Sequence, residues 1–114
     1  MGMHVDFKDA LQALRTYFGY DEFRSGQRKL IEAILQGRDV LGIMPTGAGK
    51  SICYQIPAVL LPGVTLVVSP LISLMKDQVD ALNETGIPAT YINSSLSLAE
   101  TNERMRQVAA GRYK

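Results

Sequence analysis

A glycine-rich turn at residues 45–51 joins a short apolar run at 39–44 to a helix-forming stretch. The run predicts a strand, so the turn lies between a strand and a helix. Gly47 and Gly49 let the backbone curl until successive N–H groups converge, and the helix N-terminus adds partial positive charge. A turn of this kind in this context predicts a binding site for phosphate groups.

The two side chains at the end of the turn also suit a ligand with phosphate groups. The Lys50 ammonium can reach terminal phosphates, and the Ser51 hydroxyl is placed to hold a magnesium ion. ATP and Mg²⁺ are therefore the expected cofactors, with Lys50 as the candidate catalytic residue. The strict phosphate-loop pattern has glycine where this chain has Met44, so a turn without a ligand stays the alternative. The expected phosphate-binding set is Thr46, Gly47, Ala48, Gly49, Lys50 and Ser51.

Predicted strands and helices alternate along the chain. Beyond the strand at 39–44, short runs at 64–69 and 89–92 predict two more strands, each next to a stretch with helical spacing of apolar residues. Such alternation is typical of right-handed crossovers and a parallel sheet with helices on both faces. The predicted fold class is α/β.

Helix ends are marked by local signals. A first amphipathic helix begins near Phe7 and can end at Gly19, and Ser25 is expected to cap a second helix that stops before Gly37. A helix after residue 70 is expected to end at Gly86. The last helix begins at a capping box and ends at Gly111. The capping-box residues are Ser97 and Glu100, and the expected core residues of the helix before it are Leu71, Leu74 and Met75.

Composition excludes several classes of protein. The 114 residues carry 12 Lys and Arg against 11 Asp and Glu, a net charge of +1, and 46% are hydrophobic. A disordered tail and a protein that binds nucleic acid through bulk charge are both excluded.

The lone Cys53 is expected to be a buried, reduced thiol of a cytoplasmic protein. Residues 51–75 lack charge, but prolines interrupt them and disfavour a membrane span. Residues 1–5 are expected to be a disordered or cloning-derived end.

Three successive motifs resemble those of the RecQ family of superfamily 2 DNA helicases, in the same order and with similar separations. They are Phe18-Gly19-Tyr20 with Phe23-Arg24-Ser25-Gly26-Gln27, then Met44-Pro45-Thr46-Gly47-Ala48-Gly49-Lys50-Ser51-Ile52-Cys53-Tyr54-Gln55-Ile56-Pro57, then Ser69-Pro70-Leu71-Ile72-Ser73-Leu74-Met75-Lys76-Asp77-Gln78-Val79. The resemblance implies a RecA-like P-loop NTPase fold and an ATP-dependent DNA helicase that unwinds DNA in the 3′-to-5′ direction, with a role in DNA recombination or repair. Its implied partners are single-stranded and branched DNA.

The resemblance also implies roles for residues outside the turn. Gln27 would read the adenine edge, with Tyr20 and Arg24 packing on or beside the base. Without the resemblance, Gln27 could be a solvated helix residue. Ser25 stands where this family more often has proline.

The third motif resembles a segment that contacts single-stranded DNA. Hydroxyls and free N–H groups at a helix start can bind a backbone phosphate without reading sequence. Asn93 is a weaker candidate that could serve only in a turn. The DNA-contact residues implied are Ser69, Pro70, Ser73 and Asn93.

The chain contains no Asp-Glu pair after the turn that suits a second magnesium-and-water motif. Residues 1–114 are therefore expected to be an N-terminal part of the helicase ATP-binding domain that binds nucleotide weakly and hydrolyses it little. The resemblance implies that later strands of a RecA-like sheet lie beside 39–44, so an open edge there would favour self-association. The alternatives are a non-catalytic nucleotide-binding or self-associating module and a small P-loop kinase.

Overall fold

The structure is a computed structural model that describes residues 7–44 and 49–114. Three members of the expected phosphate-binding set, Thr46, Gly47 and Ala48, lie outside the described residues, as do residues 1–5. The chain divides into two compact units, residues 1–62 and 63–114.

The first unit begins with a helical segment of two kinds. Helix α1 spans Phe7–Ala13, and a π-helical segment continues it over Leu14–Phe18. Gly19 ends the segment with a φ of 74°, a left-handed conformation that glycine adopts without strain, and its N–H donates to the Arg15 carbonyl. The prediction of a first helix that stops at Gly19 is confirmed, and the wider π-helical turns are the difference.

Two further helices lie in the described part of this unit. Helix α2 spans Gln27–Leu35 and helix α3 spans Lys50–Leu60. Gly26, with a φ of 88°, precedes α2, and no side chain caps that end, so the expected Ser25 cap is wrong. A left-handed glycine between Ser25 and the helix moves the serine out of the capping position. The helix stops before Gly37, as expected.

The core of the first unit is small and apolar. Residues from all three helices pack together, with Phe7, Tyr17, Phe18, Phe23, Leu35, Ile52 and Leu60 partly buried around them. Pro57 lies inside α3, where it removes one helical N–H donor, and is itself buried. This packing fixes the start of α2 and the start of α3 in one rigid unit. The fully buried members are Ala10, Ala13, Leu14, Ile31 and Ile56.

The second unit contains two helices. Helix α4 spans Ile72–Glu84 and helix α5 spans Leu98–Ala109. Both parts of the predicted capping box are formed, because Glu100 N–H donates to Ser97 Oγ at 3.1 Å and Ser97 N–H donates to Glu100 Oε1 at 3.0 Å. The expected ends near Gly86 and Gly111 are confirmed.

The expected core face of α4 is not buried. Leu71, just before the helix, and Leu74 within it are both exposed, and Met75 is half-buried. Their spacing correctly predicted a helix, but their assignment to the core is wrong. An amphipathic stripe is buried only where another element covers it, and nothing among the described residues covers this one fully.

No strand is formed among the described residues, so the expected parallel sheet is not confirmed. The segments 39–44, 64–69 and 89–92 lack regular secondary structure. A strand needs hydrogen-bond partners on another segment. In the second unit, Lys114 supplies two such backbone bonds, donating to the Pro88 carbonyl and accepting from Thr65 N–H, both at 2.8 Å.

Large apolar side chains of the predicted strands are therefore open to solvent. Leu41 and Ile43 are 86% and 87% exposed, and Leu66 and Val68 are 85% and 87% exposed. Residues of a buried parallel strand would be covered on both faces.

Within the described part of the chain, no helix has both the length and the apolar character needed to cross a bilayer.

Candidate nucleotide site

Helix α3 begins where the sequence predicts a helix after the glycine-rich turn. Gly49 is the N-cap residue with a φ of 77°, and Lys50 is the first helical residue. Lys50 is exposed, whereas Ser51 is half-buried. Because the first N–H groups of a helix lack helical acceptors, they are available to an anion. Lys50 and Ser51 are thus the first two residues of a helix whose N-terminus favours negative charge.

Gln27 joins the start of α2 to this N-terminus. Its side chain is 2% exposed. Gln27 Oε1 accepts from the Arg24 N–H at 2.7 Å, and Gln27 Nε2 donates to the Gly49 carbonyl at 3.0 Å. The interpretation of Gln27 as a solvated helix residue is therefore wrong, because both ends of its amide bond to backbone groups inside the unit.

Gly49 also fills a place where no side chain fits. A Cβ at this position would collide with Gln27 Nε2 and would lie 3.7 Å from Gln27 Cδ and 4.0 Å from Arg24 Cδ. The Arg24 side chain therefore passes close to the Gly49 backbone. Of the three residues expected near the base, the structure brings Gln27 and Arg24 to the end of the turn.

The segment that carries these residues is held by aromatic packing. Phe23, which is partly buried, packs on Phe7 with ring centroids 5.3 Å apart. The Arg28 guanidinium lies 4.1 Å from the Phe7 ring centroid and donates to Glu32 Oε1 at 2.9 Å. Tyr20, the third residue expected near the base, is exposed, and its ring remains accessible to a planar ligand.

Cys53 lies one turn into α3. It is buried, as expected, and its Sγ is 3.8 Å from the Met44 Sδ. Burial raises the pKa of the Cys53 thiol above its ordinary 9.0, and a backbone hydrogen bond offsets part of that rise. The thiol stays protonated near neutral pH, so Cys53 has a packing role beside Met44 rather than that of a nucleophile.

The expected DNA-contact residues lie in the second unit. Ser69 Oγ accepts from the Leu71 N–H at 3.2 Å and so satisfies one donor ahead of α4. Pro70 and Ser73 are exposed. The exposed Lys76 forms an ion pair with Asp80 at 2.6 Å, and this hydrogen bond raises the pKa of Lys76.

Asn93 takes part in a turn. Its Oδ1 accepts from the Ser95 N–H at 2.9 Å and from the Ser95 hydroxyl at 2.5 Å. Its Nδ2 lies 3.4 Å from the Met75 Sδ. These bonds agree with the alternative interpretation that Asn93 stabilises a turn. A phosphate contact by Asn93 would use the same side-chain atoms that form these bonds.

Among the residues that the structure describes, no group of three or more His, Cys, Asp or Glu side chains could hold a metal ion.

Sequence reasoning missed the bond between Gln27 and Gly49. The two residues are separated by 22 positions, and only the packing of α2 on α3 brings them together. The nearest signal was the glycine itself, because glycine is required where backbone approaches another group closely.

Comparison with known proteins identifies the family. The sequence profile of the DEAD/DEAH box helicases matches residues 24–112. The chain belongs to the DEAD/DEAH box helicase family. Among similar proteins are the ATP-dependent DNA helicases RecQ of Bacillus subtilis, 57% identical over 92% of this chain, and of Haemophilus influenzae, 51% identical over 96%. The ATP-dependent DNA helicase Q-like 5 of Arabidopsis thaliana is 49% identical over 86% of this chain and is matched over 11% of its own length.

The resemblance to RecQ helicases inferred from the three motifs is confirmed. This helicase-family chain spans 18% of the length of each of the two bacterial relatives, so it corresponds to a small part of those proteins.

Proposed function

We propose that this chain is the N-terminal part of the ATP-binding domain of a RecQ-type DNA helicase. The complete protein would couple ATP hydrolysis to movement along DNA and to unwinding, with 3′-to-5′ polarity, in recombination or repair. It would act in the cytoplasm, at the nucleoid in a bacterium. Similarity to proteins named ATP-dependent DNA helicase supports the activity.

The observation that carries this proposal is the bond from Gln27 to Gly49. It joins a base-recognition segment to the last residue of a phosphate-binding turn, at the N-terminus of a helix. A glycine-rich turn that only links two elements needs no such connection. A nucleotide that has a base at one end and phosphates at the other needs both groups held at a fixed separation.

The residues present fit ATP and Mg²⁺. Gly49 carries no side chain, and the Gln27 amide takes the place of a Cβ there, so Gln27 lies directly against the last residue of the turn. Lys50 would neutralise the terminal phosphates, and Gln27, Arg24 and Tyr20 would contact the base. Mg²⁺, held by Ser51 and the nucleotide, would supply charge neutralisation across two phosphates. Thr46, Gly47 and Ala48 complete the proposed set.

DNA would bind along the second unit. The exposed Ser73 and Pro70, with Ser69 and Asn93, would contact backbone phosphates of a single strand at the start of α4. Contacts of this kind do not read sequence, which suits a protein that moves along any strand.

The isolated chain would bind ATP but hydrolyse it slowly. Water activation and stabilisation of the transferring phosphoryl group need acidic and cationic groups beyond Lys50 and Ser51. The parallel RecA-like sheet belongs to this proposal too, with 39–44, 64–69 and 89–92 as strands once partners lie beside them. The exposed apolar residues favour a second candidate, a self-associating module.

Calorimetric titration with ATP and Mg²⁺ tests the proposal, alongside an ATPase assay with and without single-stranded DNA. The wild-type chain should bind ATP, with turnover that stays low when DNA is added. Lys50→Ala should weaken ATP binding at least about tenfold, because a charge-assisted contact to phosphate is lost. Lys29→Ala, which removes an exposed lysine of α2, is the matched control. A wild-type chain that does not bind ATP would contradict the proposed site.

A further inference from the structure

Gln27 is the single buried polar side chain of the described core, and it bonds to two backbone groups rather than projecting into solvent. An amide that served only to read a base would need no such backbone partners. These two bonds suggest a second role for a residue that the proposed function assigns to base recognition.

The Gly49 carbonyl lies at the junction between the turn and helix α3. It belongs to the N-cap residue of α3 and accepts the Gln27 Nε2–H at 3.0 Å. Gly49 has a φ of 77°, in a region where glycine is free to move into other conformations. The bond from Gln27 opposes that freedom at the residue where the turn becomes a helix.

The oxygen of the Gln27 amide is also bonded to the backbone. Gln27 Oε1 accepts from the Arg24 N–H, and the Gln27 N–H donates to the Arg24 carbonyl at 3.1 Å. The turn at 24–27 therefore closes around this side chain. Any movement of Gly49 would have to disturb a buried bond network at the start of α2.

We infer that Gln27 is a positioning residue for the phosphate-binding N-terminus of α3 and that it acts through the Gly49 carbonyl whether or not a base is bound. This inference rests on the proposed nucleotide site and extends it. With Gly49 held, the first N–H groups of α3 point at the phosphates before the ligand arrives, so less ordering is required on binding. Gln27 therefore contributes to affinity for the polyphosphate itself.

Inorganic tripolyphosphate separates the two roles, because it carries the phosphates of ATP without a base. Calorimetry would compare ATP and tripolyphosphate, each with Mg²⁺, on the wild-type chain and on Gln27→Met, which keeps the side-chain length and removes both polar atoms. We expect Gln27→Met to weaken both ligands, tripolyphosphate by about fivefold, as loss of one hydrogen bond predicts. Gln36→Met, the same substitution at the exposed C-terminal end of α2, should change neither affinity.

A second measurement needs no variant. In the ¹⁵N-labelled wild-type chain, adding tripolyphosphate should shift the side-chain amide signals of Gln27, since that amide is bonded to the residue that begins the phosphate site. Unmoved Gln27 signals, or a Gln27→Met variant weakened for ATP but not for tripolyphosphate, would overturn the inference. A wild-type chain that binds neither ligand would instead refute the proposed nucleotide site, which is a distinguishable result.

Discussion

Gly49 combines two features that each exclude a side chain. Its backbone is left-handed, with a φ of 77°, and a Cβ would meet the Gln27 amide. The amide is the end of a long side chain, but it is buried and holds two hydrogen bonds, so it cannot move aside without losing them. Gly37 has a similar φ of 81°, and nothing lies within 4 Å of the place where its Cβ would be.

The pair Gly49→Ala and Gly37→Ala separates backbone strain from this collision. Gly37→Ala should lower the free energy of unfolding by about 1 kcal/mol, the cost of a left-handed alanine. Gly49→Ala should lower it by about 2–3 kcal/mol, because an amide hydrogen bond is disturbed as well. Urea denaturation followed by circular dichroism measures both. Equal losses would mean that Gln27 moves aside freely and that its bond to Gly49 contributes little.

At single residues, the sequence predicted the chemical character of a site better than the burial and contacts of its side chains. Lys50 at a helix start follows from the spacing of glycine, lysine and serine, and burial of Cys53 follows from its residue type. Burial of Gln27 does not follow from its type, since glutamine is mostly exposed in proteins. The Ser25 cap failed because the helix begins one residue later, after Gly26, and the preference of serine for N-cap positions does not fix which residue begins a helix.

At the level of elements, helices were predictable and strands were not. A helix forms its backbone hydrogen bonds within itself, so glycines at its end and a capping box at its start identify it locally. A strand forms them with the backbone of another segment. Among the described residues, the single bond of this kind to a predicted strand joins Thr65 N–H to the Lys114 carbonyl. The prediction that one face of α4 is buried failed for the same reason, because burial depends on which other element packs against the helix.

The capping box of α5 predicts a pH dependence. The Ser97 N–H bonds to the Glu100 carboxylate and, with the Ser97 side chain, lowers the pKa of Glu100 below its ordinary 4.5. A lowered pKa in the folded state contributes stability above the unfolded value, and that contribution disappears as the pH falls through the folded value. Amide NMR signals of residues 98–103 should therefore stay constant from pH 7 to about 4.5 and move below it.

Ser97→Ala tests the same box at neutral pH. Loss of the N-cap hydroxyl should destabilise α5 by about 1 kcal/mol. It should also weaken the pH dependence, because the Ser97 side chain no longer helps to lower the pKa of Glu100. Amide hydrogen exchange within α5 measures the change. Ser94→Ala, in the exposed turn before the helix, is the control. Unchanged exchange in Ser97→Ala would show that the box does not hold this end of the helix.

At the scale of the whole chain, two predicted strands carry apolar side chains that are almost fully exposed. Leu41 and Ile43 in the first unit and Leu66 and Val68 in the second are exposed, next to backbone groups without sheet partners. Unpaired backbone with apolar side chains recruits other strands. In a longer helicase, other strands of the same sheet would cover these residues. In the chain by itself, a second copy is the available partner.

Sedimentation velocity over a concentration series should therefore show that the 114-residue chain self-associates. Leu66→Lys should weaken association by at least about tenfold, because burial of one leucine is worth about 1.5–3 kcal/mol and a lysine opposes strand pairing. Leu98→Lys is the matched control. It changes a leucine that is also exposed, but one in a helix whose backbone is already bonded, so association should be unchanged. A compact wild-type monomer at high concentration would contradict self-association, and equal weakening by both variants would point to added charge rather than strand pairing as the cause.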